Sequence, residues 1–255
     1  MSIDSAPKQS WWNRIAHPGQ FVTWTKPLLW PLTILTAVLF VAGLWFALFN
    51  SPQDYQMGDT VRIMYVHVPN AWLSQFVYGV MAVSALGTLV WRHPMADVSM
   101  KAAAPLGALF TALALFTGAL WGRPTWGTFW EWDGRMTSTL VLLFIYLGII
   151  ALWRAFDDQL RAARVIAVFT LVGAVNIPII KFSVDWWNTL HQPASVIKMG
   201  GSTLDKSFLY PLLIMAVAFS LLFITLHLAA MRNEILRRRL RSLQMLQASK
   251  PVALP

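Results

Sequence analysis

The sequence predicts an all-α integral membrane protein with six transmembrane helices and both termini in the cytoplasm. Three observations carry this prediction. Of 255 residues, 57% are hydrophobic and only 12% are charged, against about 25% charged in an ordinary soluble domain. The apolar residues fall into six runs free of Asp, Glu, Lys and Arg, at 28–49, 71–91, 102–121, 137–153, 165–180 and 208–230. Lysine and arginine are distributed unevenly between alternate connecting segments.

Each run is read as one span, because crossing a hydrocarbon core of about 30 Å takes about 20 helical residues, with a range of about 17 to 25. The fourth and fifth are the shortest. Helices satisfy every backbone N–H and C=O internally, which lipid requires of a spanning segment. The start, MSIDSAPKQSWWNRIAHPGQF, lacks the pattern of a cleavable secretory signal, so the first span is expected to remain as an anchor. Segments 1–27, 92–101, 154–164 and the region from 231 onward hold 14 of the 20 lysines and arginines. The positive-inside bias places that set in the cytoplasm. The resulting division is a cytoplasmic segment 1–27, a membrane domain 28–230 and a basic tail 231–255, with no internal repeat.

The net charge of +9 is concentrated in the tail sequence NEILRRRLRSLQMLQASK, beside the last span. A juxtamembrane basic run there points to anionic membrane lipid and to fixing of topology, not to nucleic acid. The chain has no cysteine, which excludes disulfides and thiolate metal sites. Any metal must therefore be held by nitrogen or oxygen.

Three segments on the outer side are long: 50–70, 121–136 and 181–207. The middle one reads WGRPTWGTFWEWDGRM and packs Trp121, Trp126, Trp130 and Trp132 among Arg123, Glu131, Asp133 and Arg135. Indoles offer broad apolar faces with one N–H at the edge, suited either to a membrane interface or to a planar aromatic ligand. A belt role covers scattered residues such as Trp91 and Trp153. It covers the crowding of Trp126, Trp130 and Trp132 less well. Asp133 and Thr137 also suit the cap of the fourth helix. In the first outer segment Pro69 predicts an extended or turn conformation at Val68, with helix resuming after it and His67 at the helix mouth.

Five histidines are present: His17, His67, His93, His191 and His227. By the charge-derived topology only His67 and His191 face outward. Such a pair can ligate a haem iron from opposite faces of the ring, since neutral imidazole is a suitable axial ligand. The alternative is local hydrogen bonding. A zinc site would need Asp59, Asp133 or Asp185 as further ligands, and no metalloprotease-like spacing is present. His17, His93 and His227 read as interfacial or tail residues. Neither a phosphate loop nor a GxSxG elbow occurs, so there is no independent catalytic motif and any ATP hydrolysis would belong to another subunit.

The stretch Trp126-Gly127-Thr128-Phe129-Trp130-Glu131-Trp132-Asp133-Gly134-Arg135 resembles the W-G-x-x-W-x-W-D signature, the WWD domain of haem-handling membrane proteins. Length, six spans, inside termini and the flanking His67 and His191 make the whole chain similar to the CcmC family of bacterial cytochrome c maturation. Phe129, Met136 and Pro193 depart from the family's usual residues. The resemblance implies a protein of the bacterial inner membrane that holds haem b at the periplasmic face, with His67 and His191 as axial ligands. Trp121, Trp126, Gly127, Trp130, Trp132, Asp133 and Arg135 would form the cofactor-binding surface. It further implies presentation of haem for covalent attachment to a CcmE-like haem chaperone. A CcmA–CcmB ATP-binding cassette pair and a small CcmD-like subunit would be partners. Arg123 and Arg135 have two readings: pairing with haem propionates, or with Glu131 and Asp133. Functional alternatives to chaperone loading are a haem permease or membrane subunit of an ABC exporter, a b-type electron-transfer subunit, and a tryptophan-anchored scaffold.

Overall fold

The computed structural model describes residues 16–187, 189–191, 196 and 201–249. Pro193, most of the expected cytoplasmic segment (1–15) and the end of the basic tail (250–255) lie outside the described residues. The helices are α1 (Pro18–Trp45), α2 (Met64–Leu89), α3 (Ala96–Trp126), α4 (Gly134–Ala155), α5 (Gln159–Gly173), α6 (Asn176–Trp186) and α7 (Lys206–Ala248). Six helical units among the described residues are long and apolar enough to span a membrane: Pro18–Asn50, Asp59–Val90, Ala96–Trp126, Gly134–Ala155, Gln159–Trp186 and Lys206–Ala248. The protein is thus an all-helical, multi-pass membrane protein.

Helix ends differ from the apolar runs because hydropathy marks the lipid boundary, whereas a helix ends where its backbone is capped. Three differences bear on the site. Pro69 does not break the chain: α2 runs through it, and a 3₁₀ turn, Asp59–Ile63, feeds directly into the helix. Proline there removes only one backbone bond, and the buried face of Tyr65, Asn70 and Leu73 holds the helix together. The tryptophan segment expected to be non-helical over 121–136 is so only over 127–133, because α3 absorbs Trp121 and Trp126. The fifth span is two helices, α5 and α6, separated by a short turn.

α2 and α3 form the centre of the bundle. α7 packs against both, α1 lies outside on α7, and α4 with α5 and α6 cover the other side. A pair of tyrosines braces the middle. Tyr78 of α2 donates to the Thr170 carbonyl of α5 at 2.9 Å, and Tyr146 of α4 donates to the Ser74 carbonyl of α2 at 2.8 Å. Their rings meet edge to face at 5.3 Å. Gly107 of α3 makes room for this brace, since a Cβ there would stand 2.1 Å from the Tyr146 ring. Polar groups buried among apolar helices are thereby satisfied by neighbouring backbone.

Candidate functional site

One end of the bundle collects the start of α2, the end of α3, the start of α4 and the end of α6. α3 stops at Gly127, which adopts the left-handed conformation (φ 80°) that favours glycine and donates its N–H to the Arg123 carbonyl at 3.0 Å. The Arg123 guanidinium donates back to the Gly127 carbonyl and lies over the Phe129 ring at 5.5 Å. The chain then crosses to Asp133, which caps α4 by accepting the Met136 N–H on Oδ1 at 2.7 Å. The cap role expected of Asp133 is therefore present. Its second oxygen does something else.

Asp133 Oδ2 lies 2.8 Å from Nδ1 of His191, and Thr189 donates its hydroxyl to the same oxygen. The His191 N–H in turn donates to Thr189 Oγ1 at 3.1 Å. Burial pushes the Asp133 carboxyl upward, but the bonds from Thr189, the Met136 N–H and His191 together hold it below the usual carboxylate range. Burial lowers the His191 pKa below 6.5, and Asp133 reverses this only in part. At neutral pH His191 is thus a neutral imidazole beside a carboxylate that can only accept. Nδ1 carries the proton, and the lone pair is left on Nε2.

His67, in the first turns of α2, reaches the same state by another route. Its Nδ1 lies 3.0 Å from the Ala114 carbonyl of α3 and 3.2 Å from Thr117 Oγ1. A carbonyl cannot donate, so Nδ1 again bears the hydrogen and Nε2 is the free nitrogen. Gly118 admits the ring, because a Cβ there would stand 2.9 Å from His67 Cε1. The end of α3 touches both histidines: Trp121 meets His67 edge to face at 5.6 Å, and Trp126 meets His191 in the same way at 4.8 Å.

The remaining residues divide. Trp130 and Trp132 pair with one another, edge to face at 5.3 Å, and Trp132 is 73% exposed. Thr128 holds this segment by donating to the Trp130 carbonyl at 2.9 Å. Among the described residues neither Arg123 nor Arg135 forms an ion pair with Glu131 or Asp133. Arg135 instead extends to the Lys181 carbonyl at 3.4 Å, because Asp133 is already engaged by Met136 and His191. Nε1 of Trp121, Nε1 of Trp130 and Nε of Arg135 are buried without a partner among the described residues. Against the zinc reading, Asp59 pairs with Arg62 at 3.0 Å, and among the described residues three or more His, Asp or Glu nowhere converge. His17 caps α1, and His93 accepts the Met95 N–H at 3.2 Å. His227 is a packed bundle residue, stacked on Phe223 at 5.3 Å and 3.2 Å from Ser99 Oγ.

Sequence reasoning missed Thr189, Gly118 and the Ala114 carbonyl. Only Thr189 left a local sign, a hydroxyl two residues before His191. The other two become visible once α2 and α3 are placed side by side.

The sequence model of the CcmC family, heme exporter protein C, matches residues 11–246. Heme exporter protein C of Bradyrhizobium diazoefficiens is 67% identical over 236 residues, covering 92% of this chain and 89% of that protein. Heme exporter protein C of Escherichia coli is 46% identical over 218 residues, covering 86% and 85% respectively. A ccmC-like mitochondrial protein of Marchantia polymorpha, named for cytochrome c biosynthesis, is 47% identical over 185 residues, or 72% of this chain and 76% of its own length. The family match covers nearly the whole bundle and the site built above, and the chain belongs to the CcmC family, heme exporter protein C.

Proposed function

We propose that this protein binds haem b as cargo in cytochrome c maturation. In this reading His67 and His191 are the axial ligands, and haem is presented for covalent attachment to a CcmE-like chaperone. The single observation that carries the reading is the matched state of the two imidazoles. Each has Nδ1 tied to an acceptor, which leaves the lone pair on Nε2, and each lies beside an indole from the end of α3. Metal-ligating histidines commonly carry such a partner on the second nitrogen, which sets tautomer and ring orientation.

The residues fit the group. Haem supplies a flat aromatic macrocycle and an iron that takes two axial nitrogens. Trp121 and Trp126 would flank it beside the histidines, while Gly127 lets the chain turn away from the end of α3. Trp130 and Trp132, with its exposed ring, would extend the apolar wall; burying such surface is worth about 25 cal/mol per Å². Asp133 would act through His191, and the unpartnered Nε of Arg135 suits a propionate. Orientation is the chain's contribution, because the bond-forming residue would belong to the chaperone.

The lysine and arginine asymmetry supports a bacterial inner-membrane topology with both termini in the cytoplasm and this site at the periplasmic face. A CcmA–CcmB pair and a CcmD-like subunit would complete the assembly, and ATP hydrolysis would come from that pair. The test is the absorption spectrum of the purified chain carrying both His67→Ala and His191→Ala. Loss of the low-spin bis-histidine bands is expected. An unchanged low-spin spectrum would overturn the ligand assignment.

A further inference from the structure

α7 does not end with its apolar span. Residues 231–248 continue the same helix, a projection of about 27 Å at about 1.5 Å per residue. Its base is clamped to the bundle at the end opposite the tryptophan segment. Lys101 Nζ lies 2.8 Å from Glu234, and Arg238 donates from Nη1 to Asp97 at 2.7 Å and from Nε to Glu234 at 2.9 Å. Ile235 is buried in a cluster with Phe21, Met95, Val98, Ala102 and Met231. Beyond it a second row of leucines, turned round the helix from Ile235, stays uncovered: Leu236 is 45% exposed, Leu240 57% and Leu243 58%, with Leu246, back on the Ile235 side, 62%.

Beside this stripe Pro18, Pro94, Val98, Ile235, Arg238 and Leu243 line a cavity of about 440 Å³. Nη2 of Arg238 is buried with no partner among the described residues. The projection carries Arg232, Arg237, Arg238, Arg239 and Arg241 against a single acid, Glu234. We propose that this projection docks an acidic amphipathic helix of a protein partner on the tail side of the membrane. The partner's apolar residues lie over Leu236, Leu240 and Leu243, an anchor side chain enters the cavity, and its carboxylates meet Arg239 and Arg241. This mode is a helix laid in an apolar groove, with charge selecting the partner.

Two other occupants fit less well. Headgroups extend only about 5–8 Å past the hydrocarbon core, whereas Leu240 lies about 15 Å along the helix from Ala230 at about 1.5 Å per residue. A tilt of about 20° does not close that gap. A second copy of this chain would set arginine against arginine, at a Coulombic penalty. The haem reading is not involved, since that site is at the other end.

The chain has no cysteine, so Leu243→Cys in the full chain carries one thiol for a photo-activated crosslinker in native membranes. The expected product is an adduct to an acidic amphipathic segment of another protein, identified by mass spectrometry. Its yield should fall about tenfold or more when Arg239→Glu and Arg241→Glu are added, and return when that segment's carboxylates are exchanged for lysines. The thermal midpoint of the charge-reversed chain should stay at that of the parent. Leu240→Glu, which leaves the clamp untouched, should lower the yield likewise. An adduct to lipid, to a second copy or to a segment without acidic residues overturns the proposal. So does the absence of any adduct, or a yield indifferent to both sets of substitutions.

Discussion

Asp133 holds His191 from 58 residues away, with Oδ2 at 2.8 Å from Nδ1, while its Oδ1 caps α4 at 2.7 Å from the Met136 N–H. One carboxylate thus locks the His191 tautomer to the start of a membrane span. The arrangement makes the two functions separable by substitution.

Asp133→Asn keeps one oxygen for the cap and turns an amide N–H₂ toward His191. Nδ1 must then accept, and the proton moves to Nε2, the nitrogen proposed to hold iron. Haem affinity is expected to fall by about 10–100-fold, the usual cost of losing such a partner. The thermal midpoint should hold, because Asn caps about as well as Asp. Asp133→Ala should lose the affinity and about 1 kcal/mol of helix stability besides. Haem titration followed by a melt of each variant separates these outcomes; wild-type affinity in Asp133→Asn would contradict the positioning role.

The lowered His191 pKa sets a direction with pH. Above pH 6.5 the imidazole is neutral in both the native and unfolded chain, and this group contributes no pH dependence. Below it the unfolded chain takes up a proton that native His191 refuses until a more acid pH. Stability therefore falls with pH through that window while native His191 stays neutral. Uptake of haem by the haem-free protein is expected to persist below pH 6.5. An acid titration with its midpoint at or above 6.5 contradicts this.

Two glycines of α3 should answer differently to the same substitution. In Gly118→Ala the new Cβ meets His67 Cε1 at 2.9 Å, and the ring is tethered to the same helix through Ala114. Axial ligation should be disturbed, with low-spin haem converting to high-spin. In Gly107→Ala the Cβ would fall 2.1 Å from the Tyr146 ring, and the bundle should lose about 1–3 kcal/mol by overpacking. Whatever folds should keep its haem spectrum. Equal effects of both on spectrum and melting would show that Gly118 is only a packing position.

These cases show which parts of the molecule were legible in one dimension. The six charge-free runs located the spans, because lipid forces composition on each segment independently. His67, His191 and the tryptophan cluster were legible as residue types on one side. Helix ends were not: Trp121 and Trp126 belong to α3 because Gly127 provides the cap, and hydropathy carries no record of that. The partners that set each imidazole were harder still. Asp133 reads locally as a cap, and its contact with His191 exists only after α4 and the segment following α6 are brought together. A backbone carbonyl such as Ala114 has no sequence signature at all.

Thr189 tests how finely that contact is tuned. Its hydroxyl donates to Asp133 Oδ2 and accepts the His191 N–H at 3.1 Å, tying the ligand's backbone to the carboxylate that orients its ring. Thr189→Val keeps the shape and removes both bonds, leaving His191 Nδ1 as the sole donor to Oδ2. Haem affinity should fall by less than in Asp133→Asn, since the tautomer is preserved and only the ring's fixation is loosened. Thr189→Ser restores the hydroxyl and should restore affinity. Competitive haem transfer to a soluble haem-binding protein gives the ranking directly. An order in which Thr189→Val is worse than Asp133→Asn would mean that Thr189, rather than the carboxylate, governs His191.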